Sequence, residues 1–218
     1  MKDLAQRFLS EDERTRVSAA VAEAEKRTAG EIVVMIIPAS YHYPMAGVIG
    51  AAAFALGLGL AFTPLIGGWL WIGSQNLWLF LGLFTVFFIL FHEVIRRTLW
   101  LKRFFISRKE INAEVKEAAV THFFNHGLYR TRDKTGVLVL ISVFERRVRV
   151  LADEGINAKV PEGRWEDIVK LITDGIKQKR PADAICAAVE KIAGLLQAHF
   201  PIKPGDIDEL RNVITDKQ

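Results

Sequence analysis

No Asp, Glu, Lys or Arg occurs between Glu31 and Glu93, although charged residues make up 25% of the 218-residue chain. Residues 46–91 are almost wholly apolar and rich in glycine, alanine, leucine and phenylalanine. A core helix of a soluble domain rarely has an apolar run beyond ~14 residues, whereas a membrane span needs about 20. The missing charges therefore exclude an ordinary soluble domain over this stretch and predict two membrane-spanning helices.

The sequence also lacks cysteine pairs and the common phosphate-binding loops. Its one cysteine, Cys186, excludes an intramolecular disulfide and a cysteine-ligated zinc site within one copy of the chain, which fits a reducing compartment. Ile192, and not arginine, stands six residues after Cys186, so a cysteine-phosphatase loop is absent. Asp206 and Asp208 follow a Pro-Gly turn instead of a buried strand, and neither GxGxxG nor a Walker loop occurs. These absences exclude the usual phosphatase nucleophile with its phosphate cradle.

Turn-forming residues divide the apolar stretch. Residues 63–76 collect proline, glycine, serine, glutamine and asparagine. This break predicts spans at about residues 45–65 and 77–95, flanked by interfacial tryptophans at positions 69, 71 and 78. The first span is rich in glycine and alanine, which permit close approach of the second span or of another copy in a homo-oligomer. Residues 41–103 are therefore predicted to form a transmembrane helical hairpin with a basic juxtamembrane segment.

Positive charge follows the second span and is absent from the loop between the spans. By the positive-inside rule, this asymmetry predicts cytoplasmic termini, with the lipid bilayer as the first partner. The same cluster offers binding to anionic headgroups at roughly 1 kcal/mol per residue near the surface. Nucleic acid is not an expected partner, because these residues lie at the bilayer without a groove-reading motif. The predicted membrane-anchoring residues are Arg96, Arg97, Lys102, Arg103, Arg108 and Lys109.

The flanking segments show the patterns of an α/β protein. Ser10 with Glu13, and Ser107 with Glu110, have the spacing of a capping box at a helix start, and Gly30 offers a left-handed end to the first helix. Apolar runs predict strands at residues 32–38 and 136–143 that are buried on both faces, and alternation predicts an exposed-face or edge strand at 146–153. The other predicted helices cover residues 108–127, 165–178 and 181–199.

Neither flank holds enough structure to fold alone. Residues 1–40 contain one predicted helix and one strand, which bury too little surface for a core. Residues 104–218 contain a two-stranded hairpin and helices. We therefore expect one discontinuous cytoplasmic domain, residues 1–40 plus 104–218, with an α/β sandwich of at least three strands.

Two groups of side chains are candidates for a metal site. His122 and His126 lie four residues apart on one predicted helix, so they are either a ligand pair or half-buried histidines beside the sheet. Asp133, Asp153 and Glu154 lie in loops that flank the strand hairpin, where they either collect around a hard cation or serve as solvated and capping groups. The sequence assigns no catalytic residue and requires no cofactor.

The soluble part resembles the TPM-domain family. The resemblance covers residues 29–38 and about 128–200, and it is most specific in T-G-V-L-V-L-I-S-V-x-E-R-R-V-x-V-L-A-D-E-G-I, residues 135–156, and at Trp165. It implies a three-layer α/β/α sandwich with a small mixed sheet, interrupted here by the transmembrane hairpin. Together with the charge asymmetry, we expect the chain at a bacterial inner membrane with its termini in the cytoplasm. The acidic-glycine segment of secreted members is reduced here to Asp153, Glu154 and Gly155.

The resemblance implies a role in building or maintaining membrane complexes. We therefore expect a non-enzymatic, membrane-anchored adaptor whose partner is another membrane protein. Some relatives are associated with acid phosphatase activity or with calcium binding. The alternative is therefore a metal-assisted phosphate-ester hydrolase or a calcium-binding module that uses Ca²⁺ or another divalent cation.

Overall fold

The computed structural model of the protein describes residues 3–73, 75–131, 134–161, 163–202 and 213–215. Their contacts form two compact units: an α/β unit within residues 1–41 and 112–218, and a hairpin unit within residues 42–111. In chain order, the elements are α1 (Asp3–Phe8), α2 (Glu11–Glu25), β1 (Glu31–Ile37), α3 (Pro44–Trp69), α4 (Leu77–Arg97), α5 (Leu99–Phe104), α6 (Arg108–Asn125), a 3₁₀ turn (Leu128–Arg130), β2 (Gly136–Ser142), β3 (Arg147–Ala152), α7 (Glu154–Asn157), α8 (Arg164–Lys177), α9 (Pro181–His199) and β4 (Val213–Thr215).

A mixed sheet with strand order β3-β2-β1-β4 lies at the centre of the α/β unit. β1 and β2 are parallel, and their register runs from Glu31 opposite Gly136 to Ile37 opposite Ser142. β2 and β3 form the antiparallel hairpin that the sequence predicts. The short β4 pairs in parallel with β1 and was not predicted from the sequence. The predicted α/β fold with a small mixed sheet is confirmed.

The two central strands are buried on both faces, as their continuous apolar runs predict. In β1, Ile32, Val34 and Ile36 point into one core, while Val33 and Met35 point into a second core. Helices α2, α8 and α9 supply Val21, Ile172 and Ile192, among others, to the first core. Helix α6 supplies Ala119 and Phe123 to the second. Helices on both faces of the sheet give the three-layer α/β/α arrangement.

Helix α2 begins as predicted but does not end as predicted. The Ser10 hydroxyl accepts from the Glu13 amide at 3.2 Å, and the Glu13 carboxylate accepts from the Ser10 amide at 2.8 Å. The helix ends at Glu25, so the assignment of Gly30 as its left-handed end is wrong. A Cβ atom at Gly30 would lie 2.7 Å from Cδ1 of Leu196. The small size of Gly30 therefore serves packing against α9.

The first helix of the hairpin unit is longer than the sequence predicts. Instead of breaking at residue 63, α3 continues through Pro64 to Trp69. Pro64 has no amide to donate to the Leu60 carbonyl four residues earlier, yet one missing backbone hydrogen bond is tolerated inside an apolar helix. The connection to α4 therefore begins only after Trp69.

Candidate functional site

The hairpin unit is held together by a seam of small residues on α3. A Cβ atom at Gly50 would lie 2.7 Å from side-chain carbons of Ile95 and Phe105, and one at Gly59 would lie 3.1 Å from Phe80. Beside Gly50, the Phe54 ring stacks on Phe91 with a centroid distance of 4.9 Å. The other small residues buried along this seam are Ala46, Gly47, Ala51, Ala55 and Gly67. Glycine and alanine thus bring two apolar helices into close contact.

Outside this seam, the large apolar side chains of α3 and α4 face outward. Leu65 is 67% exposed and Ile89 is 64% exposed, and many other Leu, Ile and Phe side chains on both helices are exposed as well. A core helix of a soluble protein would bury most of such a surface. Both helices are long and apolar enough to cross a membrane. Three exposed tryptophans, Trp69, Trp71 and Trp78, lie at or near the ends that connect them.

The six predicted membrane-anchoring residues fall into three groups. Arg96 and Arg97 both bond the carboxylate of Glu93, at 2.7 and 2.5 Å, so the three residues together carry one positive charge. Lys102 donates instead to the backbone carbonyl of His42, and burial lowers the pKa of its ammonium group. The other three, Arg103, Arg108 and Lys109, follow in sequence, with Arg108 and Lys109 exposed. Most of the surplus charge therefore lies after α4.

The predicted carboxylate site is only partly placed by the structure. Asp133 lies outside the described residues. Asp153 is the N-cap of α7, where its Oδ1 accepts from the Glu154 amide at 2.7 Å. Its Oδ2 is buried and has no hydrogen-bond partner among the described residues. The side chain of Glu154 is exposed. In the described part of the chain, Asp153 acts as a helix cap with one spare buried oxygen.

The described residues place no cluster of side chains that would by itself hold a calcium ion. Ca²⁺ takes 6–8 oxygen ligands. No group of three or more His, Cys, Asp or Glu side chains suited to a metal occurs within residues 3–73, 75–131, 134–161, 163–202 and 213–215. Because Asp133 lies outside the described residues, the site at Asp133, Asp153 and Glu154 stays a prediction.

The two predicted histidines lie side by side. The rings of His122 and His126 stack with centroids 5.9 Å apart at an angle of 18°, and both side chains are half-buried. The i, i+4 spacing thus places both rings on one face of α6, as expected for a helix. The described residues give this pair no third metal ligand.

Sequence reasoning missed a buried carboxylate where the two parallel strands end. Glu145, in the turn between β2 and β3, is fully buried. Its Oε1 accepts from the Ser40 amide at 2.9 Å, and its Oε2 accepts from the Ser142 hydroxyl. The Ser40 hydroxyl donates to the Ser142 hydroxyl at 3.1 Å. No local sequence pattern marks this cluster. The serines that follow or end β1 and β2 come together with Glu145 only when these two strands pair.

An exposed aromatic and basic cluster lies at the carboxyl end of α6. Val120 and Phe124 are one helical turn apart and exposed, and the Phe124 ring lies 5.3 Å from the Tyr129 ring. The Arg130 guanidinium lies 5.3 Å from the Tyr129 ring centre and donates to the Tyr129 hydroxyl at 2.8 Å. Within the described residues, Arg130 forms no ion pair with a carboxylate. We call Val120, Phe124, Tyr129 and Arg130 the aromatic face.

Cys186 is poorly suited to nucleophilic chemistry. It lies in the middle of α9 and is half-buried. Burial is the main cause of the raised pKa of its thiol. A reactive cysteine needs the opposite shift, because the thiolate is the nucleophile.

Comparisons with known proteins agree with this architecture. Residues 103–195 match the family model of the TPM domain. The chain is similar to the NMR structure of the BA42 protein from the psychrophilic bacterium Bizionia argentinensis, with a TM-score of 0.59 and 20% sequence identity over 96% of each chain. This likeness supports the fold. No curated protein matches the sequence.

Proposed function

We propose that the chain is a membrane-anchored, non-enzymatic adaptor of the TPM-domain type, because its residues 103–195 match the family model of the TPM domain. The hairpin unit anchors it, and the α/β unit binds another membrane protein during the assembly or maintenance of a complex. The observation that carries the proposal is the outward-facing apolar surface of α3 and α4. In water this surface would drive aggregation, whereas in a bilayer it contacts the apolar lipid chains at little cost.

The proposed location is a bacterial inner membrane with both termini in the cytoplasm. The connection between α3 and α4 carries no charged residue, whereas six basic residues follow within residues 96–109. Short basic flanks stay on the cytoplasmic side during insertion. A helical hairpin returns the chain to the side from which it entered, so residues 1–41 and 112–218 share that side.

We assign partner binding to the aromatic face. Exposed aromatic side chains with an adjacent arginine are the residue types enriched where binding energy concentrates in interfaces. Arg130 is held against Tyr129 and has no carboxylate partner in the described part of the chain, so the surface offers an oriented positive charge beside apolar rings. A fitting partner is an apolar segment of a membrane protein that carries an acidic residue.

A photoreactive amino acid at position 124 tests this proposal in living cells. We expect it to crosslink one membrane protein, identified by mass spectrometry, and we expect the crosslink to be lost when Arg130→Glu reverses the charge. A matched control places the same group at Lys191, an exposed position on α9. Equal crosslinking from both positions, or crosslinking that survives Arg130→Glu, would contradict partner binding at the aromatic face. Crosslinking to a second copy would identify a homo-oligomer instead.

One observation favours the rival function, a metal-assisted phosphate-ester hydrolase. The buried Oδ2 of Asp153 has no partner among the described residues, and a cation is one group that would satisfy it. The test is phosphate-ester hydrolysis by the detergent-purified chain, with and without divalent cations. We expect no cation-dependent turnover. Turnover that requires a cation and is lost in both Asp153→Asn and Glu154→Gln would reverse the ranking of the two functions.

A further inference from the structure

Strand β3 lies at one edge of the sheet, and part of its backbone faces outward. The strand order β3-β2-β1-β4 gives β3 a single neighbouring strand among the described residues. The Asp153 amide donates to the Gly136 carbonyl at 2.9 Å, and such bonds recur at every second residue of an antiparallel pair. Counted back from Asp153, the odd-numbered residues of β3 bond β2. The N–H and C=O groups of Val148 and Val150 therefore point away from the sheet.

The outward backbone groups of Val148 and Val150 form no hydrogen bond within the described part of the chain. The next outward carbonyl, that of Ala152, accepts from Nδ2 of Asn157 at 2.7 Å, so the free edge ends at Val150. β3 pairs with β2 over its whole length without a bulge, and it contains no proline. Edge strands that are protected against all pairing are commonly bulged, interrupted by proline or covered. β3 thus offers a short, regular edge for further backbone hydrogen bonds.

Three arginines give this edge a positive charge. Arg146 and Arg149 are exposed, and Arg147 is half-buried. Among the described residues, no carboxylate pairs with any of the three. Nε of Arg147 donates to Oδ1 of Asn112 at 3.1 Å, which orients the guanidinium while its two terminal nitrogens point elsewhere. An arginine held in this way is suited to bidentate binding of a carboxylate.

We propose that β3 binds an extended acidic segment of another protein, which adds to the sheet as a further strand. Val148 and Val150 pack against the first core, so Arg147 and Arg149 lie on the opposite face of the strand. A segment in which acidic and apolar side chains alternate matches this pattern. Its backbone bonds the free edge, and its carboxylates bind the arginines. The inference depends neither on the membrane anchorage nor on the aromatic face, because every contact that carries it lies within the α/β unit.

Charge complementarity favours an acidic segment over a second copy of the chain. Two β3 strands paired about a twofold axis would place Arg147 and Arg149 of one copy beside the same arginines of the other. Like charges at neighbouring positions of a sheet destabilise the pairing. In the turn before β3, Arg146 has a φ of 52°, in the left-handed region that favours glycine. The turn would be more stable with glycine, so folding does not explain the arginine side chain at this position.

Amide hydrogen exchange of the full-length chain in phosphatidylcholine nanodiscs tests the proposal. The probe is a synthetic peptide in which valine and glutamate alternate. We expect the peptide to slow the exchange of the Val148 and Val150 amides, which would then bond it. The amides of Arg147 and Arg149 already bond β2, so we expect their exchange to change little. A peptide with lysine in place of every glutamate is the charge control and is expected not to bind.

Variants of the chain separate binding from folding. Arg149→Glu is expected to weaken peptide binding about fivefold, as measured by fluorescence anisotropy, because one exposed ion pair is replaced by a repulsion. Lys191→Glu, at an exposed position on α9, makes the same change of charge and is expected to leave binding unchanged. Arg146→Gly is expected to weaken binding and to raise the thermal stability of the chain together, because glycine relieves the turn. A merely structural role of Arg146 would not produce this opposition.

The proposal is refuted if the peptide leaves the Val148 and Val150 amides unprotected, or if Lys191→Glu weakens binding as much as Arg149→Glu does. Protection that grows with protein concentration in the absence of peptide would assign the edge to a second copy. Protection that appears when phosphatidylglycerol is added would assign it to lipid. Either result overturns the acidic segment. Crosslinking from position 124 reports on the aromatic face, so that test can fail while this one succeeds.

Discussion

Glu145 carries a buried carboxylate that joins the ends of β1 and β2, and its removal should destabilise the α/β unit. Glu145→Ala leaves the Ser40 amide and the Ser142 hydroxyl without their acceptor, and each unsatisfied buried donor costs about 1–3 kcal/mol. We expect a loss of free energy of unfolding in that range for each donor. Chemical denaturation in detergent micelles, followed by near-ultraviolet circular dichroism, measures it.

Glu145→Gln is the control for this prediction. The amide keeps one carbonyl oxygen as an acceptor and nearly the same volume, so we expect less than half of the loss caused by alanine. If alanine and glutamine cause equal losses, the carboxylate's hydrogen bonds do not hold the strand ends. If both are neutral, the buried cluster contributes nothing to stability.

Two glycines in the α/β unit should respond oppositely to alanine. A Cβ atom at Gly136 would lie 2.5 Å from the backbone carbonyl oxygen of Leu128, so Gly136→Ala forces the turn before β2 to move, at about 1–3 kcal/mol. Gly194 lies inside α9 with no atom near its Cβ position, so Gly194→Ala should stabilise by about 0.5–1 kcal/mol. Thermal unfolding of both variants measures the difference. A destabilised Gly194→Ala or a neutral Gly136→Ala would show that these contacts are wrongly placed.

At single residues, the sequence predicted local interactions better than long-range ones. The capping box of Ser10 and Glu13 spans four residues, and the structure confirms it. Gly30 was misassigned because glycine serves equally at a helix end and at a close contact, and its contact with Leu196 is far away in sequence. Glu145 was missed for the same reason, since its donors include Ser40, which lies 105 residues earlier.

Among the helices and strands, the packing of α3 on α4 depends on small residues at defined positions. Gly50→Val would place methyl groups where Ile95 and Phe105 already lie, whereas Gly57 has no neighbour within 4 Å of its Cβ position. We expect Gly50→Val to lower the thermal stability of the hairpin in detergent by several degrees, the shift that about 1–3 kcal/mol of overpacking produces.

Gly57→Val is the matched control on the same helix. It adds the same β-branched side chain at a position without helix contacts, so we expect a near-neutral effect. Scanning calorimetry in micelles compares the two variants. Equal destabilisation would indicate that helix propensity, and not the seam, sets the stability of the hairpin.

The boundaries of these elements show which patterns carry information. The three predicted strands match β1, β2 and β3 within one residue at each end, because continuous or alternating apolar runs stop at turn residues. Pro64 led to a wrong start for the break between the apolar helices, because an apolar helix tolerates a proline in its interior. The strand β4 is three residues long and forms by pairing with β1. No local sequence pattern predicts this long-range pairing.

For the whole molecule, the sequence already separated an apolar segment from an α/β protein. The absence of charged residues between Glu31 and Glu93 marks the apolar segment, and residues 103–195 match the family model that the sequence resembles. The candidate sites were harder to predict from the sequence. The carboxylate site stays a prediction because Asp133 lies outside the described residues, and the aromatic face had no sequence pattern of its own. Exposure of Phe124 depends on which face of α6 the sheet covers, which the three-dimensional structure decides.

The most direct test of the membrane hairpin is the accessibility of single cysteines to a membrane-impermeant maleimide in intact cells. In a Cys186→Ala background, we would introduce Glu11→Cys, Trp71→Cys and Lys191→Cys, all at exposed positions. We expect position 71 to be labelled in intact cells, and positions 11 and 191 to be labelled only after the membrane is permeabilised. Labelling that places positions 11 and 191 on opposite sides, or that finds all three equally accessible in a chain free of membrane, would contradict a two-span anchor.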